Sequence, residues 1–431
     1  MIPTLKSEMV STEIIKPLSS SKTHPTSHNF SFFDQICARI YVPYIFFYPI
    51  EELHHKYSSI QLKNSLSAAL SLYYPLAGRF KDDLTIDCND EGIEFQEARL
   101  DSDLSEILKN PNDEVIKILF PENLQYKDPI SSSFLIVKVN LFNCGGIGLA
   151  ICISHKVMDM AAFSYFINHW AGIARNSGDK FRPDFSSIPW LYPSIDLPVM
   201  ECYEPDKLKC VSRRVVFHGS KIDELKLMVE KEVPNPTRFE VVTAVLYKSA
   251  LAASTEFSNV VKSAVMHVGT NLREKVIPQF PESSSGNFSG TFSVSAGMEM
   301  EMETLTREIK KEKIKYWKCC GEKSDGEDLC RYVLEASVGL RRGHGKNEEG
   351  YLCSSYCRYP FYEADFGWGK PAWVSLASCE VKNVMIMLDT RDGDGIEAYV
   401  SLQEQVMEIF ENDHFLLSFA SINPSVLPES T

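Results

Sequence analysis

His155 and Asp159 are the side chains whose type and spacing first suggest chemistry. Imidazole, with an unperturbed pKa of about 6.5, is the side chain best placed to take a proton near neutral pH. His155 stands in Ser154-His155-Lys156, where the uncharged run Ile147 to Ile153 turns polar. A short, uncharged, β-branched-rich run reads as a buried strand, so the histidine is delivered from the core to a surface or cleft. Asp159 follows four residues later, ahead of Phe163, Phe166, Ile167, Trp170 and Ile173, which recur at helical spacing until Gly178. On these residues alone two readings stay open. Asp159 is a helix N-cap and His155 an ordinary loop histidine, or His155 is a general base and Asp159 holds its loop by a cap or an ion pair.

Other stretches offer weaker chemistry. Asp365-Phe366-Gly367-Trp368-Gly369 contains the three letters of the kinase magnesium loop, but the chain lacks His-Arg-Asp and a glycine-rich phosphate loop. It reads instead as a tight turn with Trp368 packed in a core. Asp389 to Gly395 starts like a calcium loop, yet its twelfth position is Val400, which cannot close the site, so a polar hairpin turn is expected. Gly343-His344-Gly345-Lys346 lacks the glycine spacing of a phosphate loop. Lys310, Lys311, Lys313, Lys315 and Lys318 read as a solvated helix face. Cys319, Cys320, Cys330, Cys353 and Cys357 fit no usual zinc spacing, so no metal is expected and the twelve cysteines read as reduced thiols. No serine or cysteine nucleophile with a local motif is evident, so a covalent acyl-enzyme is not required.

The elements that must position these residues alternate along 431 residues, a length that calls for two domains. Residues 31–47 read as a first strand region, and Ile60, Leu62, Leu66, Ala69, Leu70 and Tyr73 mark a helix that stops at Pro75. Leu84–Cys88 and Ile93–Glu97 read as a hairpin through the turn Asn89 to Gly92, and Leu135–Leu141 as the partner of the strand leading to His155. Five prolines between 179 and 206 mark a crossover linker between a domain of residues 1–178 and one of residues 207–431. In the second half, Thr237-Arg238-Phe239-Glu240 has the capping-box order and opens a helix. Strands are expected at 213–217, 262–272, 373–377, 384–388 and 396–402, and helices at 222–229, 303–318 and from about 403. Interleaved strands and helices give an α/β class. The net charge of −14 argues against nucleic acid or an anionic membrane as partner. No apolar signal core opens the chain, and Tyr41 to Ile50 is broken by Pro43 and Pro49, so a soluble cytoplasmic protein is expected.

Together, His155-Lys156-Val157-Met158-Asp159 and Asp365-Phe366-Gly367-Trp368-Gly369 resemble the two signatures of the plant BAHD acyl-CoA-dependent acyltransferases. Tyr74-Pro75-Leu76-Ala77-Gly78-Arg79, Asn271-Leu272-Arg273 and Gly286-Asn287 are similar to further stretches of that family, so the resemblance covers nearly the whole chain. It is strongest to the branch of alkaloid acetyltransferases, capsaicin synthase and acylsugar acyltransferases. The resemblance implies two chloramphenicol-acetyltransferase-like domains of mixed sheet and helices with a channel between them. It also implies a monomer, acyl-CoA (here acetyl-CoA) as co-substrate with no permanent cofactor, and a small-molecule alcohol as acceptor. His155 would be the general base. Asp159 would turn from the substrate and pair with Arg273, and Asp365 would be a signature aspartate grouped with the catalytic residues but structural in character. Gly367, Trp368 and Gly369 would shape its loop. The chain departs from the family in Met160, where many members have glycine, and in Glu274-Lys275 after Arg273. The expected reaction is O-acylation of a plant specialised metabolite such as an alkaloid. Acylsugar formation, N-acylation and a catalytically silent binding homologue are the alternatives.

Overall fold

The computed structural model describes residues 5–427 apart from 20–23, 50–57, 123, 125–131, 179–181, 198–208, 262, 277–278, 282, 324 and 338–347. The Gly343–Lys346 stretch and much of the expected linker therefore lie outside the described residues.

In chain order the first half holds β1 (Ser7–Ile15), β2 (Ser27–Asn29), α1 (Phe32–Ile36), β3 (Tyr41–Tyr48), α2 (Ser59–Leu72), β4 (Arg79–Asp82), β5 (Thr85–Asp87) and β6 (Ile93–Leu100). It continues with α3 (Leu104–Lys109), α4 (Asp113–Ile118), β7 (Leu135–Leu141), β8 (Ile147–Ser154), α5 (Met160–Ala174) and α6 (Ser187–Leu191). The second half holds β9 (Cys210–Phe217), α7 (Gly219–Val229), α8 (Arg238–Ser258), β10 (Ser263–Asn271), β11 (Ser289–Gly297), α9 (Met302–Gly321), α10 (Gly326–Ala336) and β12 (Glu348–Ser355). After these come β13 (Trp373–Leu376), β14 (Val384–Asp389), β15 (Ile396–Gln403), α11 (Glu404–Phe410), α12 (His414–Phe419) and β16 (Ser421–Ile422). This is an α/β fold. No helix among the described residues is long and apolar enough to cross a membrane.

Two large mixed sheets organise these elements. The first has the order β1-β6-β7-β8-β3-β13 and the second β11-β10-β12-β14-β15-β9-β16. β8 lies between β7 and β3, antiparallel to both, and every one of its residues is buried. Ile147, Leu149, Ile151 and Ile153 share a core with α2 and α5, whereas Ala150 and Cys152 face a second core with α3 and α4. A strand covered on both faces needs the unbroken apolar run that the sequence shows. The turn into β8 needs Gly145 at φ +84°.

Two expectations need correction. Residues 31–35 are not strand: Ser31 and Asp34 form a capping box and open α1. The segments 85–87 and 93–100 do not pair as a hairpin: β5 pairs with β2 and β4, while β6 pairs with β1 and β7. The reason lies at Gly92. At φ +88° it sits so close to β1 that an added Cβ would stand 2.4 Å from the Ile15 carbonyl oxygen, which sends the chain into the large sheet.

The first sheet is completed by residues of the second half. β13 pairs with β3, and the Trp373 ring stacks on Phe47 at 5.2 Å. Trp373 Nε1 also donates to Glu397 Oε2 at 3.0 Å, and Glu397 on β15 is paired with Arg214 of β9 at 3.1 Å. One indole thus ties the first sheet to the second.

The segment before β13 is the turn Asp365 to Gly369. Asp365 Oδ1 accepts from Gly367 N at 2.8 Å and Gly369 N at 2.9 Å, and both glycines have positive φ, +97° and +90°. Asp365 Oδ2 accepts from Arg175 Nη1 at 3.2 Å, and Arg175 is the C-cap of α5. Phe366 sets its ring edge-on to Trp170 at 4.8 Å and stacks with Trp368, which in turn meets Tyr48 edge-on. The turn is therefore a clamp on the C-terminal end of α5. Asp365→Ala removes the acceptor of two turn amides and should cost about 1–3 kcal/mol. Asp365→Asn can keep Oδ1 on both amides and should cost less. Thermal unfolding of the two variants beside the parent checks this order, and equal midpoints for all three would contradict it.

Candidate active site

The cavity at His155 lies where the two sheets meet. His155, Asp159, Met160 and Ala161 form one side. β10 contributes Gly269, Thr270 and Asn271, and β12 with the turn after it contributes Ser354, Ser355, Tyr356 and Tyr359. The space is small, about 70 Å³. Burial pushes the Tyr356 phenol up to about 12 and raises Tyr359 as well, so both remain O–H donors at neutral pH. Among its described lining residues there is no lysine or arginine.

The structure brings His155, Asp159 and Arg273 together. Asp159 is the N-cap of α5: its Oδ1 accepts from Ala162 N at 2.9 Å. Its Oδ2 accepts from Arg273 Nη1 at 2.7 Å and from Phe288 N at 2.9 Å. The two side chains are only 7% and 4% exposed. Arg273 also donates to backbone, Nε to Ser284 O at 3.1 Å and Nη2 to Gly286 O at 3.0 Å. The cap and the ion pair, alternatives on sequence, are both present in one carboxylate.

Two residues to which the sequence assigned no role complete the arrangement. Asn287 Nδ2 donates to Asp34 Oδ1 at 2.9 Å and to the His155 carbonyl at 2.9 Å. Both partners are acceptors, so the amide can face only one way. Asn287 Oδ1 then lies 3.2 Å from His155 Nδ1, which must carry the proton and donate it. Nε2 is left with the lone pair, as a general base requires. Asp34 is buried on α1, and its carboxylate also accepts from Asn287 N at 2.8 Å, Ser31 N at 2.9 Å and Ser31 Oγ at 2.6 Å. Lys156 holds α1 from the other side, donating to Gln35 O at 2.7 Å and Cys37 O at 3.4 Å. Burial lowers the pKa of this ammonium group. The Ser31-x-x-Asp34 order is the signal that could have revealed α1. Asn287 lies 132 residues from His155, and no local pattern joins them.

Asp365, Gly367, Trp368 and Gly369 are not brought to the cavity. Asp365 is bound to the C-cap of α5, while His155 precedes its N-cap, and 15 helical residues span about 22 Å. Asp365 lies out of hydrogen-bond reach of His155, and its bonds are those of a turn. Among the described residues no group of three or more His, Cys, Asp or Glu is placed to hold a metal ion.

His155 thus stands, with its Nδ1 proton held by Asn287, at a cavity between two mixed sheets. The chain belongs to the Transferase family, the BAHD acyltransferases, whose profile matches residues 5–417. It is 37% identical over 428 residues to diaboline synthase of Strychnos sp, covering 96% of this chain and 92% of that protein. It is 36% identical over 426 residues to the 17,18-epoxy-17-hydroxycur-19-ene N-malonyltransferase of Strychnos nux-vomica, covering 96% and 90%. The crystal structure of vinorine synthase superposes with a TM-score of 0.86 at 27% identity, covering 98% of this chain and 100% of that one.

Two outcomes follow. Asp159→Asn leaves Arg273 buried beside a neutral group and should cost about 3–5 kcal/mol, as breaking a buried pair does. Urea unfolding measures this, and a loss below 1 kcal/mol would mean the pair is not important for stability. Asn287→Ala frees the imidazole to take the other tautomer. It should lower kcat by roughly 10-fold or more with little change in KM, since only the proton-transfer step loses its aligned base. Steady-state kinetics with an alcohol that the parent acylates decide it, and a KM effect alone would contradict the assignment.

Proposed function

We propose that this acyltransferase moves an acetyl group from acetyl-CoA to a hydroxyl of a plant specialised metabolite, an alkaloid by the likeness to the Strychnos proteins. The observation that carries the reading is the fixed Nδ1–H tautomer of His155, which leaves Nε2 basic at the cavity. Nε2 takes the hydroxyl proton as the oxygen bonds to the thioester carbonyl carbon. The tetrahedral oxyanion then collapses, the C–S bond breaks, and the imidazolium returns the proton to the CoA sulfur. Base catalysis supplies about 10²–10⁴-fold, and holding donor and acceptor together supplies much of the rest. Tyr356 and Tyr359, as half-buried phenol donors on the wall, are suited to the developing oxyanion. Asp159 acts through the loop and Arg273, and Asp365 through α5. Action as a cytoplasmic monomer is part of the same reading.

N-acylation is a second reading, favoured by the named activity of the N-malonyltransferase relative. A malonyl group carries a carboxylate, and the described lining residues, with no lysine or arginine among them, offer it no cation, which supports a neutral acyl group. The test is CoA thiol release from acetyl-CoA and malonyl-CoA with panels of plant alcohols and amines, the product read by mass spectrometry and by mild alkaline cleavage of esters. We expect an acetyl ester. His155→Ala should lower kcat by about 10²–10⁴-fold with the fold retained. Turnover within a few-fold of the parent would exclude His155 as the base, and an amide product would decide for N-acylation.

A further inference from the structure

We infer that Met160 sets the length of acyl group accepted beside His155, an inference that rests on the acyl-transfer reading above. The cavity wall is otherwise small or rigid. Gly269 of β10 is paired on both sides, with Thr291 and Ser354, and Thr270 is paired with Gly290 of β11. Their backbones cannot retreat without breaking ladder hydrogen bonds. Tyr356 and Tyr359 are stacked on each other at 6.1 Å with an interplanar angle of 16°, and Tyr356 also meets the buried Tyr44 ring.

Met160 differs from all of these. It is the first residue of α5, so its backbone is held by the Asp159 cap at one end of the helix and by the Asp365 clamp at the other. Its side chain is buried in the core shared with α2 and the first sheet, yet it lines the cavity. It is the one long, unbranched apolar side chain among the described lining residues. An unbranched thioether fills irregular space and is the element most easily exchanged. Beyond Cβ it places three heavy atoms, the room of about three methylene groups, against whatever sits next to the base. A wall of hydroxyls and no cation leaves chain length, not charge, as the property that this residue can select. An acetyl group fits with Met160 in place, and a six-carbon acyl chain competes with it for the same space.

The experiment measures kcat/KM for acetyl-, butanoyl- and hexanoyl-CoA by thiol release, with one alcohol that the parent acylates, in the parent, Met160→Ala and Met160→Leu. One methylene in a hydrophobic pocket is worth about 10–200-fold in discrimination. The hexanoyl-to-acetyl ratio should therefore rise by at least about tenfold in Met160→Ala and stay within a few-fold of the parent in Met160→Leu. An unchanged ratio in Met160→Ala overturns the inference, whatever happens to the absolute rates. If Met160→Ala does not fold, Met160→Val must move the ratio in the same direction, and an unchanged ratio there overturns it equally. A parent that releases thiol from none of the three donors with any alcohol refutes the acetyl-to-hydroxyl reading itself, which is a different result from a parent that turns over and a variant that keeps its profile.

Discussion

The arrangement around His155 depends on one buried carboxylate. Asp159 caps α5, pairs with Arg273 at the end of β10 and accepts the Phe288 amide ahead of β11. The start of α5 and two segments more than a hundred residues further along the chain thus meet at two oxygens. Removing two charges from water is costly, and a buried pair repays it only when the remaining donors and acceptors are satisfied. Here they are: both Asp159 oxygens have partners, and the guanidinium reaches Ser284 O, Gly286 O and the Asn271 side chain as well. An apolar pair of equal volume could fill the space. It could not hold the 284–288 backbone, and that backbone carries Asn287 to the imidazole.

The helix that Asp159 begins explains why two signatures far apart in the chain serve one site. α5 is capped at its start by Asp159 and gripped at its end through Arg175 by Asp365, 190 residues further on. Trp170 adds a second anchor, donating its indole N–H to Ser65 Oγ of α2 at 3.0 Å while Phe366 covers its face. A helix fixed at both ends cannot slide, so the turn at its N-terminus presents His155 in one position. The Asp365 turn thereby bears on the chemistry without touching it.

Most of this was legible where the signal is local. The uncharged run of β8, the polar break at Ser154, and the apolar spacing after Asp159 describe strand, loop and helix within thirty residues, and the structure follows them. The capping box at Thr237 opens α8 as read, with Glu240 returning to the Thr237 amide at 2.9 Å. What was not legible is long-range or compositionally disguised. Asn89 to Gly92 has hairpin composition, yet the glycine serves close approach to β1. β11 is made largely of serine and glycine, residues that read as loop, and becomes strand because β10 supplies a full ladder from Ser263 to Asn271. Asp34 and Asn287 are 253 residues apart, and a pair at that distance leaves no periodicity to find.

The choice of a neutral amide as the partner of the base has a chemical consequence. A carboxylate on Nδ1 would also fix the tautomer, but it would stabilise the imidazolium strongly and hold the proton after the first half of the reaction. Asn287 Oδ1 fixes the ring without adding charge at the ring. The charge that orients Asn287 sits one residue further back, on Asp34, where four N–H and O–H donors consume it. An acyl transfer needs a base that accepts a proton from an alcohol and then gives it to a thiolate within one turnover. A tautomer locked by an amide, with the negative charge kept at a distance, is compatible with both steps, because no carboxylate at Nδ1 holds the imidazolium.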